Sequence, residues 1–473
     1  MRRTKIICTM GPATDNEDVL RDLMLNGMDV ARLNFSHGSH EEALERINRI
    51  KKVRDELNIP VAILLDTKGP EVRIKDFKEG KVELKEGQKF TLCTDDVVGD
   101  ENQVSITYAN LPNDVKVGSK ILIDDGLIEM EVISVKNSKI LCKVKNGGVV
   151  SNKKGVNVPN VALSMPYMSK KDIDDILFGI EQDVDFIAAS FVRTADDIRE
   201  IKTLLRDNGG RDIRIIAKIE NAEGVDNIDD IIRETHGIMV ARGDMGVEID
   251  MHDLPVLQKS LIKKTYRAGK VVITATQMLD SMIRNSLPTR AEACDICNAI
   301  FDGTDVIMLS GETASGSYPL EAVQTMAKIA LRTEEALDYA AIFKGKGISD
   351  KIHSTEAISH ATVQIAQELD ADAIVTVTES GFTARMIAKY RPKCYVVGVS
   401  RIPARVRAMQ FYWGVRPLLG PSSDNTDEMI EISLKCAREH GYVKDGDSVV
   451  ITAGVPVGKP GSTNLIKVVN VGN

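Results

Sequence analysis

Arg214-Ile-Ile-Ala-Lys-Ile-Glu-Asn221 and Gly237-Ile-Met-Val-Ala-Arg-Gly-Asp-Met-Gly246 each begin as a short apolar run and then break into charged residues and glycine. This pattern is typical of a buried parallel strand whose carboxyl end opens into a site. Residues two apart in a strand point the same way, so Lys218 and Glu220 share a direction. Neighbouring strands lie about 4.8 Å apart. Glu220 and Asp244 could therefore share one hard divalent cation, with an ammonium beside it.

The residue types at these two strand ends indicate a particular chemistry. Mg²⁺ is usually held by one or two carboxylates together with phosphate oxygens of the substrate. A lysine beside the metal suits phosphoryl transfer, in which the protein mainly positions groups and neutralises charge. A salt bridge at a strand end is the simpler explanation of a single Lys-x-Glu. Two such ends in succession, the second carrying Arg-Gly-Asp, favour the metal site.

Length and composition bound the class of protein. The chain has 473 residues, which suggests about three domains. Its net charge is −8 with acidic and basic residues interspersed, so we expect neither a nucleic acid nor a membrane surface as partner. No apolar run is long enough to span a bilayer, and the first residues lack the apolar core of a secretion signal. The seven scattered cysteines fit a reducing compartment, so we predict a cytoplasmic protein.

The order of apolar patterns predicts how the chain is divided. Residues 1–69 and 167–337 alternate strand and helix patterns, with three strands before residue 70 and five after residue 166. Eight such units fit a (β/α)₈ barrel. A doubly wound sheet is the alternative, but it favours Gly-x-Gly-x-x-Gly after the first strand, which Cys8-Thr-Met-Gly-Pro12 does not supply.

The rest of the chain reads as two further units. Residues 70–166 contain short alternating runs separated by turn residues and no evident helix, which predicts a small antiparallel β domain inserted into the barrel. Residues 338–350 break the periodicity and are interpreted as a linker. Residues 351–473 again alternate helix and strand patterns, which predicts a C-terminal α/β domain.

Functional groups of such a barrel lie at the carboxyl ends of its strands. Six predicted strands end in polar residues, namely Arg32-Leu-Asn-Phe-Ser-His37, Asp66-Thr-Lys-Gly-Pro-Glu-Val-Arg73, Lys218-Ile-Glu220, Arg242-Gly-Asp244, Thr276-Gln277 and Ser310-Gly-Glu312. Six polar ends around one ring are hard to explain by solvation alone. They indicate an anionic, phosphorylated substrate and metal ions. Asn34, Ser36, Asp66 and Thr67 could also surround a monovalent cation with oxygen donors.

These segments resemble the pyruvate kinase family. The matching motifs occur in the family's order and span the chain: Arg32-Leu-Asn-Phe-Ser-His-Gly38, Leu65-Asp-Thr-Lys-Gly-Pro-Glu-Val-Arg73, Ile216-Ala-Lys-Ile-Glu-Asn221, Met239-Val-Ala-Arg-Gly-Asp-Met-Gly246, Thr274-Ala-Thr-Gln-Met-Leu279 and Leu309-Ser-Gly-Glu-Thr-Ala314. Together they are highly specific. The resemblance implies a (β/α)₈ TIM barrel with an inserted β-barrel lid and a C-terminal α/β effector and oligomerisation domain. It also implies transfer of a phosphoryl group from phosphoenolpyruvate to ADP, giving ATP and pyruvate.

The resemblance also implies roles for individual residues. Glu220 and Asp244 would hold Mg²⁺ (or Mn²⁺), while Arg32 and Lys218 would bind the phosphoryl group. The backbone of Gly243 and Asp244 and the hydroxyl of Thr276 would seat the substrate carboxylate. No side chain near the seventh strand has a suitable pKa for protonating the enolate, so we expect a relayed water near Thr276 and Ser310.

Three further sites follow from the same resemblance. K⁺ would be bound by Asn34, Ser36, Asp66 and Thr67, and the nucleotide by Asn34, His37, Arg73 and Lys154. Glu71 occupies a position where an acidic residue accompanies K⁺ dependence in the family, so we predict activation by K⁺. In the C-terminal domain, Thr378, Ser380, Gly381 and Thr383 precede or open a helix. The family places its effector there, so we expect a sugar phosphate or AMP to bind. The resemblance also implies a homotetramer.

Two other functions stay open from the sequence. Another Mg²⁺-dependent barrel enzyme of phosphoenolpyruvate or pyruvate, such as an aldolase or lyase, would need neither the lid nor the K⁺ residues. A catalytically silent effector-binding relative would require a broken site, whereas every motif position that can be checked is intact.

Overall fold

The computed structural model describes residues 1–346, 353–420, 425–455 and 463–472. Its centre is a closed barrel of eight parallel strands, so the barrel prediction is confirmed and the doubly wound sheet is excluded. The strands pair in chain order around the ring, and the last pairs with the first. Their bounds are Lys5–Thr9, Val30–Asn34, Ala62–Asp66, Phe186–Ala189, Arg214–Ile219, Gly237–Ala241, Val271–Ala275 and Val306–Leu309.

Helices surround this barrel and bury one face each against it. Several begin where a side chain accepts a hydrogen bond from the first turn, as Ser39, Ser169 and Thr289 do. The longer helices run over Glu17–Asn26, His40–Leu57, Lys170–Glu181, Ala195–Asp207, Leu254–Arg267, Arg290–Asp302 and Pro319–Glu335. Shorter ones lie at Ala222–Asp226, Ile228–Glu234, Arg242–Glu248 and Gly311–Ala314, with 3₁₀ turns at Pro12–Thr14 and Asp280–Ile283.

The inserted segment forms its own β structure with its own apolar core. A seven-stranded sheet contains Val72–Arg73, Lys89–Cys93, Gln103–Ser105, Lys120–Ile123, Ile128–Lys136, Lys139–Val144 and Gly155–Asn157, while Lys81–Leu84 pairs with Gly148–Ser151. Ile74 follows one edge strand and Ile106 follows the other, and the two residues form a β-bridge. The sheet is therefore curled so that its two edges meet. The expectation of no helix here is wrong, since one turn of helix forms at Leu111–Asp114, and one strand pair is parallel rather than antiparallel.

The C-terminal domain is a five-stranded, mostly parallel sheet with helices on its faces. Its strands are Ala373–Val377, Tyr395–Ser400, Val415–Leu419, Ser448–Gly454 and Thr463–Asn470. Its helices are Ser354–Glu368, Phe382–Lys389, Pro403–Ala408 and Thr426–Glu439, with a 3₁₀ turn at Met409–Phe411. A helix, Tyr339–Lys346, lies inside the segment interpreted as a linker, and 347–350 of that segment fall outside the described residues.

The barrel interior is continuous with the core of the C-terminal domain. Apolar residues that point inward at the amino ends of the strands pack against C-terminal residues in one buried cluster. The rings of Phe186 and Phe411 lie 3.8 Å apart, centroid to centroid. This domain therefore covers the amino end of the barrel and leaves the carboxyl end, with its polar residues, facing the inserted domain.

Within the described ranges, no helix combines the length and the apolarity needed to cross a bilayer.

Candidate active site

Lys218 is the centre of a buried charge cluster at the carboxyl end of the barrel. Its ammonium lies 3.1 Å from Oδ1 of Asp66 and 3.0 Å from Oε1 of Glu220. It also donates a 2.7 Å hydrogen bond to the Ser190 hydroxyl. Burial alone would lower the pKa of Lys218, but the Asp66 and Glu220 carboxylates raise it above its ordinary value. The site thus holds a permanent cation fixed on three sides.

The two carboxylate oxygens of Glu220 have different surroundings. Oε2 accepts a 2.6 Å hydrogen bond from the Phe191 amide. Oε1 is buried and has no hydrogen-bond partner among the described residues, although the Lys218 ammonium is close. Burial raises the pKa of Glu220 to about 7. A buried anionic oxygen without a hydrogen bond is a position that a cation would fill, so the donor set fits a metal ion.

Asp244 supplies the second carboxylate of the predicted metal site. It lies in the first turn of the helix Arg242–Glu248 and lines a cleft of about 340 Å³ between the barrel and the inserted domain. Its negative charge raises the pKa values of both Lys218 and Glu220. The described residues contain no cluster of three or more His, Cys, Asp or Glu suited to a metal. Any divalent ion here would complete its shell with substrate or water oxygens, as Mg²⁺ usually does.

Arg32 is anchored so that part of its guanidinium stays available. Nε donates a 2.6 Å hydrogen bond to Oδ2 of Asp66, and Nη1 donates a 2.9 Å hydrogen bond to the Thr9 hydroxyl. Within the described residues, Nη2 of Arg32 makes no hydrogen bond. Arg32 and Lys218 therefore share the Asp66 carboxylate and present two cations at one end of the barrel.

Thr276 and Gly243 form a second, polar corner of the site. The Gly243 amide donates a 2.9 Å hydrogen bond to the Thr276 hydroxyl. Thr276 and Gln277 have φ values of 66° and 56°, a left-handed conformation that non-glycine residues seldom adopt. Such strain persists only where the surroundings hold it and is common at active sites. The corner combines a hydroxyl with backbone N–H groups, which suits a carboxylate ligand.

Arg242 holds this strained turn in place. It makes an ion pair with Asp295 in which Nη1 alone contacts both carboxylate oxygens, at 2.8 and 2.6 Å. Its Nε donates a 3.0 Å hydrogen bond to the Ala275 carbonyl, and Nη2 donates to the Thr276 carbonyl. The guanidinium therefore fixes the peptide groups on both sides of Thr276.

Ser310 lies at the end of the last barrel strand. Its amide donates a 2.6 Å hydrogen bond to the Glu312 carboxylate. Its hydroxyl is buried and has no hydrogen-bond partner among the described residues. A buried hydroxyl without a partner is a suitable contact for a bound water or ligand, as expected of a proton relay.

The oxygens predicted to bind a monovalent cation lie on two paired strands. Asn34 is in register with Asp66 across the second and third barrel strands. The Asn34 side-chain oxygen accepts a 3.1 Å hydrogen bond from the Ser36 amide, and the Thr67 hydroxyl accepts a 3.2 Å hydrogen bond from the Ser190 amide. The four residues lie next to one another in the structure, although the Asp66 carboxylate already pairs with Arg32 and Lys218.

The predicted nucleotide residues are only partly brought together. His37 and Arg73 line a cleft of about 390 Å³ between the barrel and the inserted domain, together with Lys68, Lys75 and Lys153. Lys154 does not line this cleft, because its ammonium pairs with Asp124 at 2.8 Å. Asn34 does not line it either. The cleft is strongly basic and so suits a polyphosphate.

The loop before the helix Phe382–Lys389 is closed by its own polar groups. The Gly381 amide donates a 3.0 Å hydrogen bond to the Thr378 hydroxyl, and the Phe382 amide donates a 3.3 Å hydrogen bond to the Ser380 hydroxyl. The Thr383 hydroxyl lies 2.6 Å from that of Thr463. The four predicted effector residues are thus adjacent, in a loop that caps a helix.

Three groups of the site were not predicted from the sequence. Ser190 contacts both Lys218 and the Thr67 carbonyl, the latter by a 2.6 Å hydrogen bond. The Phe191 amide, held at a φ of 53°, binds Glu220, and Asp295 fixes Arg242. The sequence gives only a weak signal for Ser190 and Phe191, because Phe186-Ile-Ala-Ala-Ser-Phe191 has the pattern of a single strand that continues through residue 191.

Comparisons with known proteins identify the family of the chain. The family model for the pyruvate kinase barrel domain matches residues 1–323, and the model for the pyruvate kinase alpha/beta domain matches residues 356–469. The chain is 54% identical over 469 residues to the pyruvate kinase of Geobacillus stearothermophilus, covering 99% of this chain and 80% of the relative. It is 50% identical to that of Clostridium acetobutylicum, covering 99% of both chains.

A solved structure gives the same result for the fold. The crystal structure of a pyruvate kinase from Cryptosporidium parvum superposes with a TM-score of 0.95 at 38% sequence identity, covering 99% of this chain and 96% of the other. Matches over both the barrel and the C-terminal domain place the polar strand ends in a known enzyme scaffold. The chain therefore belongs to the pyruvate kinase family.

Proposed function

We propose that this glycolytic phosphotransferase moves a phosphoryl group from phosphoenolpyruvate to ADP at the carboxyl end of its barrel. The observation that carries the proposal is the cluster in which Arg32 and Lys218 share the Asp66 carboxylate while Lys218 also contacts Glu220. It combines two fixed cations with an acidic oxygen that lacks a hydrogen bond. Phosphoryl transfer needs this combination, since the protein mainly positions groups and neutralises charge.

Glu220 and Asp244 would hold Mg²⁺, or Mn²⁺ in its place. The metal, when bound, supplies electrostatic stabilisation of the phosphoryl oxygens. Lys218 and Arg32 would bind the phosphoryl group from the protein side, with Lys218 stabilising its charge during transfer. Because Asp66 and Ser190 fix the ammonium, little reorganisation would be needed at the moment of reaction.

The substrate carboxylate would lie at the corner made by Gly243, Asp244 and Thr276. Backbone N–H groups at the start of a helix favour an anion there. Loss of the phosphoryl group leaves an enolate that must gain a proton on carbon. The buried hydroxyl of Ser310, with that of Thr276, would hold a water that relays this proton.

ADP would bind in the basic cleft lined by His37 and Arg73. K⁺ would be held by Asn34, Ser36, Asp66 and Thr67 and would add positive charge between nucleotide and phosphoenolpyruvate. Asn34 and Lys154 also belong to our nucleotide proposal. Closure of the inserted domain, residues 70–166, over the barrel would exclude water and move Lys154 toward the phosphates.

The C-terminal domain, residues 351–473, is proposed to bind an activating phosphorylated effector and to contribute to a homotetramer. The support for effector binding is the set of hydroxyls and N–H groups at Thr378, Ser380, Gly381 and Thr383. Equilibrium binding with fructose bisphosphate, ribose 5-phosphate and AMP tests this. Wild type should bind one of them and Thr378→Val should bind it more weakly, whereas no binding by wild type would refute the proposal.

The direct test of the function is an assay of pyruvate and ATP formation with phosphoenolpyruvate, ADP, Mg²⁺ and K⁺. We expect both products in equal amounts and no activity without a divalent cation. An aldolase or lyase would consume phosphoenolpyruvate or pyruvate without forming ATP, and a silent relative would consume neither. The protein would act in the cytoplasm, where glycolytic substrates occur.

A further inference from the structure

A small cavity lies between the amino end of the barrel and the C-terminal domain, far from the phosphoryl-transfer site. Five basic side chains line it: Lys270, Lys346, Arg385, Lys389 and Arg391. Lys270 directly precedes the seventh barrel strand, Val271–Ala275, whereas Arg385 belongs to the C-terminal helix Phe382–Lys389. Among the described residues that line the cavity, only Asp305 carries a carboxylate.

Two of the five cations have acidic partners. Arg391 forms an ion pair with Asp305 at 2.8 Å, and Lys389 forms one with Glu356 at 2.7 Å. The side chains of Lys389 and Arg391 are both at least nine-tenths buried. These pairs account for two positive charges and leave three without a balancing carboxylate.

The other three cations contact only neutral groups. Across the described ranges, no carboxylate lies within 4.0 Å of Lys270, Lys346 or Arg385. Lys270 donates a 2.6 Å hydrogen bond to the Thr235 carbonyl, and the Lys346 ammonium lies 4.7 Å from the centre of the Tyr266 ring. Burial lowers the pKa of Lys270 to about 8 and that of Lys346 well below its usual value. The charged forms of these two lysines therefore lack a balancing partner in the described part of the chain, and a bound anion would favour them.

Two guanidinium nitrogens in the lining are buried and unsatisfied. Nε of Arg385 and Nη1 of Arg391 have no hydrogen-bond partner among the described residues. The Arg391 side chain is only 5% exposed, so bulk water does not compensate it. Buried N–H donors are nearly always paired, and an unpaired one is destabilising because it has lost its hydrogen bonds to water. Together with the excess charge, these donors indicate an anionic ligand.

The size of the cavity limits that ligand. The centre of a water-sized sphere can occupy about 20 Å³ of it. The space available to ligand atoms extends beyond this volume by one sphere radius on every side. It is large enough for a tetrahedral oxyanion but too small for a nucleotide or a sugar phosphate. Guanidinium groups match the oxygens of such an anion in geometry. We propose that this cavity binds an inorganic oxyanion, phosphate or sulfate, that joins the base of the barrel to the C-terminal domain.

Thermal unfolding of the full chain, without divalent cation and at constant ionic strength, tests the proposal. Phosphate and sulfate should each raise the Tm of the wild type above that in chloride, by about 2 °C or more at saturation. Arg385→Gln and Lys346→Met should lose most of this rise. In chloride both variants should be at least as stable as the wild type, because each removes an unbalanced charge.

Matched variants separate this cavity from other phosphate sites. Arg332→Gln, which removes an exposed guanidinium on the helix Pro319–Glu335, should keep the full rise. The double variant Thr378→Val, Ser380→Ala, in the effector loop, should keep it too. The proposal is overturned if Arg385→Gln and Lys346→Met respond like the wild type, or if the Tm of the wild type in phosphate and sulfate is no higher than in chloride.

Calorimetric titration with inorganic phosphate supplies a second readout. We expect the affinity of Arg385→Gln for phosphate to fall at least about tenfold, as when one partner of a buried charged contact is removed. Equal affinity in the wild type and in Arg385→Gln would overturn the site even if the two proteins differ in stability.

Discussion

The Lys218 ammonium lies 3.0 Å from Oε1 of Glu220, the one oxygen of that carboxylate without a hydrogen bond among the described residues. A divalent cation held by Glu220, as proposed, would share this oxygen with the ammonium. The proposed metal-binding group and the proposed phosphate-binding group then lie beside each other, on one strand end. Variants of Glu220 and of Lys218 should have different effects, because the first side chain is an anion and the second is a cation.

Replacing Glu220 by glutamine should weaken divalent cation binding. The amide keeps the shape and the Phe191 contact through its oxygen but loses the charge that a hard cation needs. We expect Mn²⁺ affinity, measured by electron paramagnetic resonance, to fall about 10- to 100-fold. Glu321→Gln, at an exposed position on an outer helix, should bind Mn²⁺ like the wild type. Unchanged Mn²⁺ affinity in Glu220→Gln would remove this residue from the metal site.

Replacing Arg242 by lysine should loosen the turn at Thr276. Lysine has a single nitrogen and cannot replace the three guanidinium nitrogens that contact Asp295 and the two carbonyls. We expect kcat/KM for phosphoenolpyruvate to fall about 10- to 100-fold, with little change in KM for ADP. Arg332→Lys is the control. A wild-type kcat/KM in Arg242→Lys would show that the turn needs no such support.

Glu71 is the residue on which the predicted activation by K⁺ depends. Its carboxylate lies 2.6 Å from Arg73 and 3.9 Å from Lys68. We expect the initial rate of the wild type to be much higher in KCl than in NaCl of equal concentration. Glu71→Lys places a fixed ammonium near the K⁺ residues, so its rate should depend far less on K⁺. Full wild-type activity in K⁺-free NaCl would contradict the prediction.

Lys5 gives the fold a pH dependence. It is buried at the junction of barrel and C-terminal domain and donates a 2.8 Å hydrogen bond to the Val415 carbonyl. Burial lowers its pKa from 10.5 to about 7. Between these values the unfolded chain binds more protons than the folded one, so the contribution of Lys5 to stability rises with pH from about 7 to about 10.5.

Urea unfolding measured across this pH window checks the prediction. The slope of the free energy of unfolding against pH should be smaller in Lys5→Met than in the wild type. Lys393→Met, which removes an exposed lysine, should keep the wild-type slope. Equal slopes in wild type and Lys5→Met would show that the ammonium is fully accommodated at the junction.

The sequence predicted the barrel because its strands are uninterrupted apolar runs that end in charge, a pattern set by burial on both faces. The same rule placed Lys218 and Glu220 together, at the end of one strand. It could not separate Ser190 from the strand before it, since Phe186-Ile-Ala-Ala-Ser-Phe191 reads as one apolar run. Only the positive φ of Phe191 shows that the chain turns into the site.

Two other features depend on information that periodicity does not carry. Lys153 has a φ of 61° and lies in a turn. This turn decides that Lys153, and not Lys154, lines the basic cleft beside His37 and Arg73. The strands Lys81–Leu84 and Gly148–Ser151 are short and largely exposed, so their apolar alternation is weak. The contact of Phe186 with Phe411 is long-range, and no local pattern predicts it.

The account depends most directly on Lys218 acting on the phosphoryl group and not on the metal. The measurement is the rate of pyruvate formation by Lys218→Met, with Mn²⁺ binding determined on the same preparation. We predict a fall in kcat of at least about a thousandfold, with Mn²⁺ affinity equal to or higher than that of the wild type. Near-normal turnover in Lys218→Met would contradict the account.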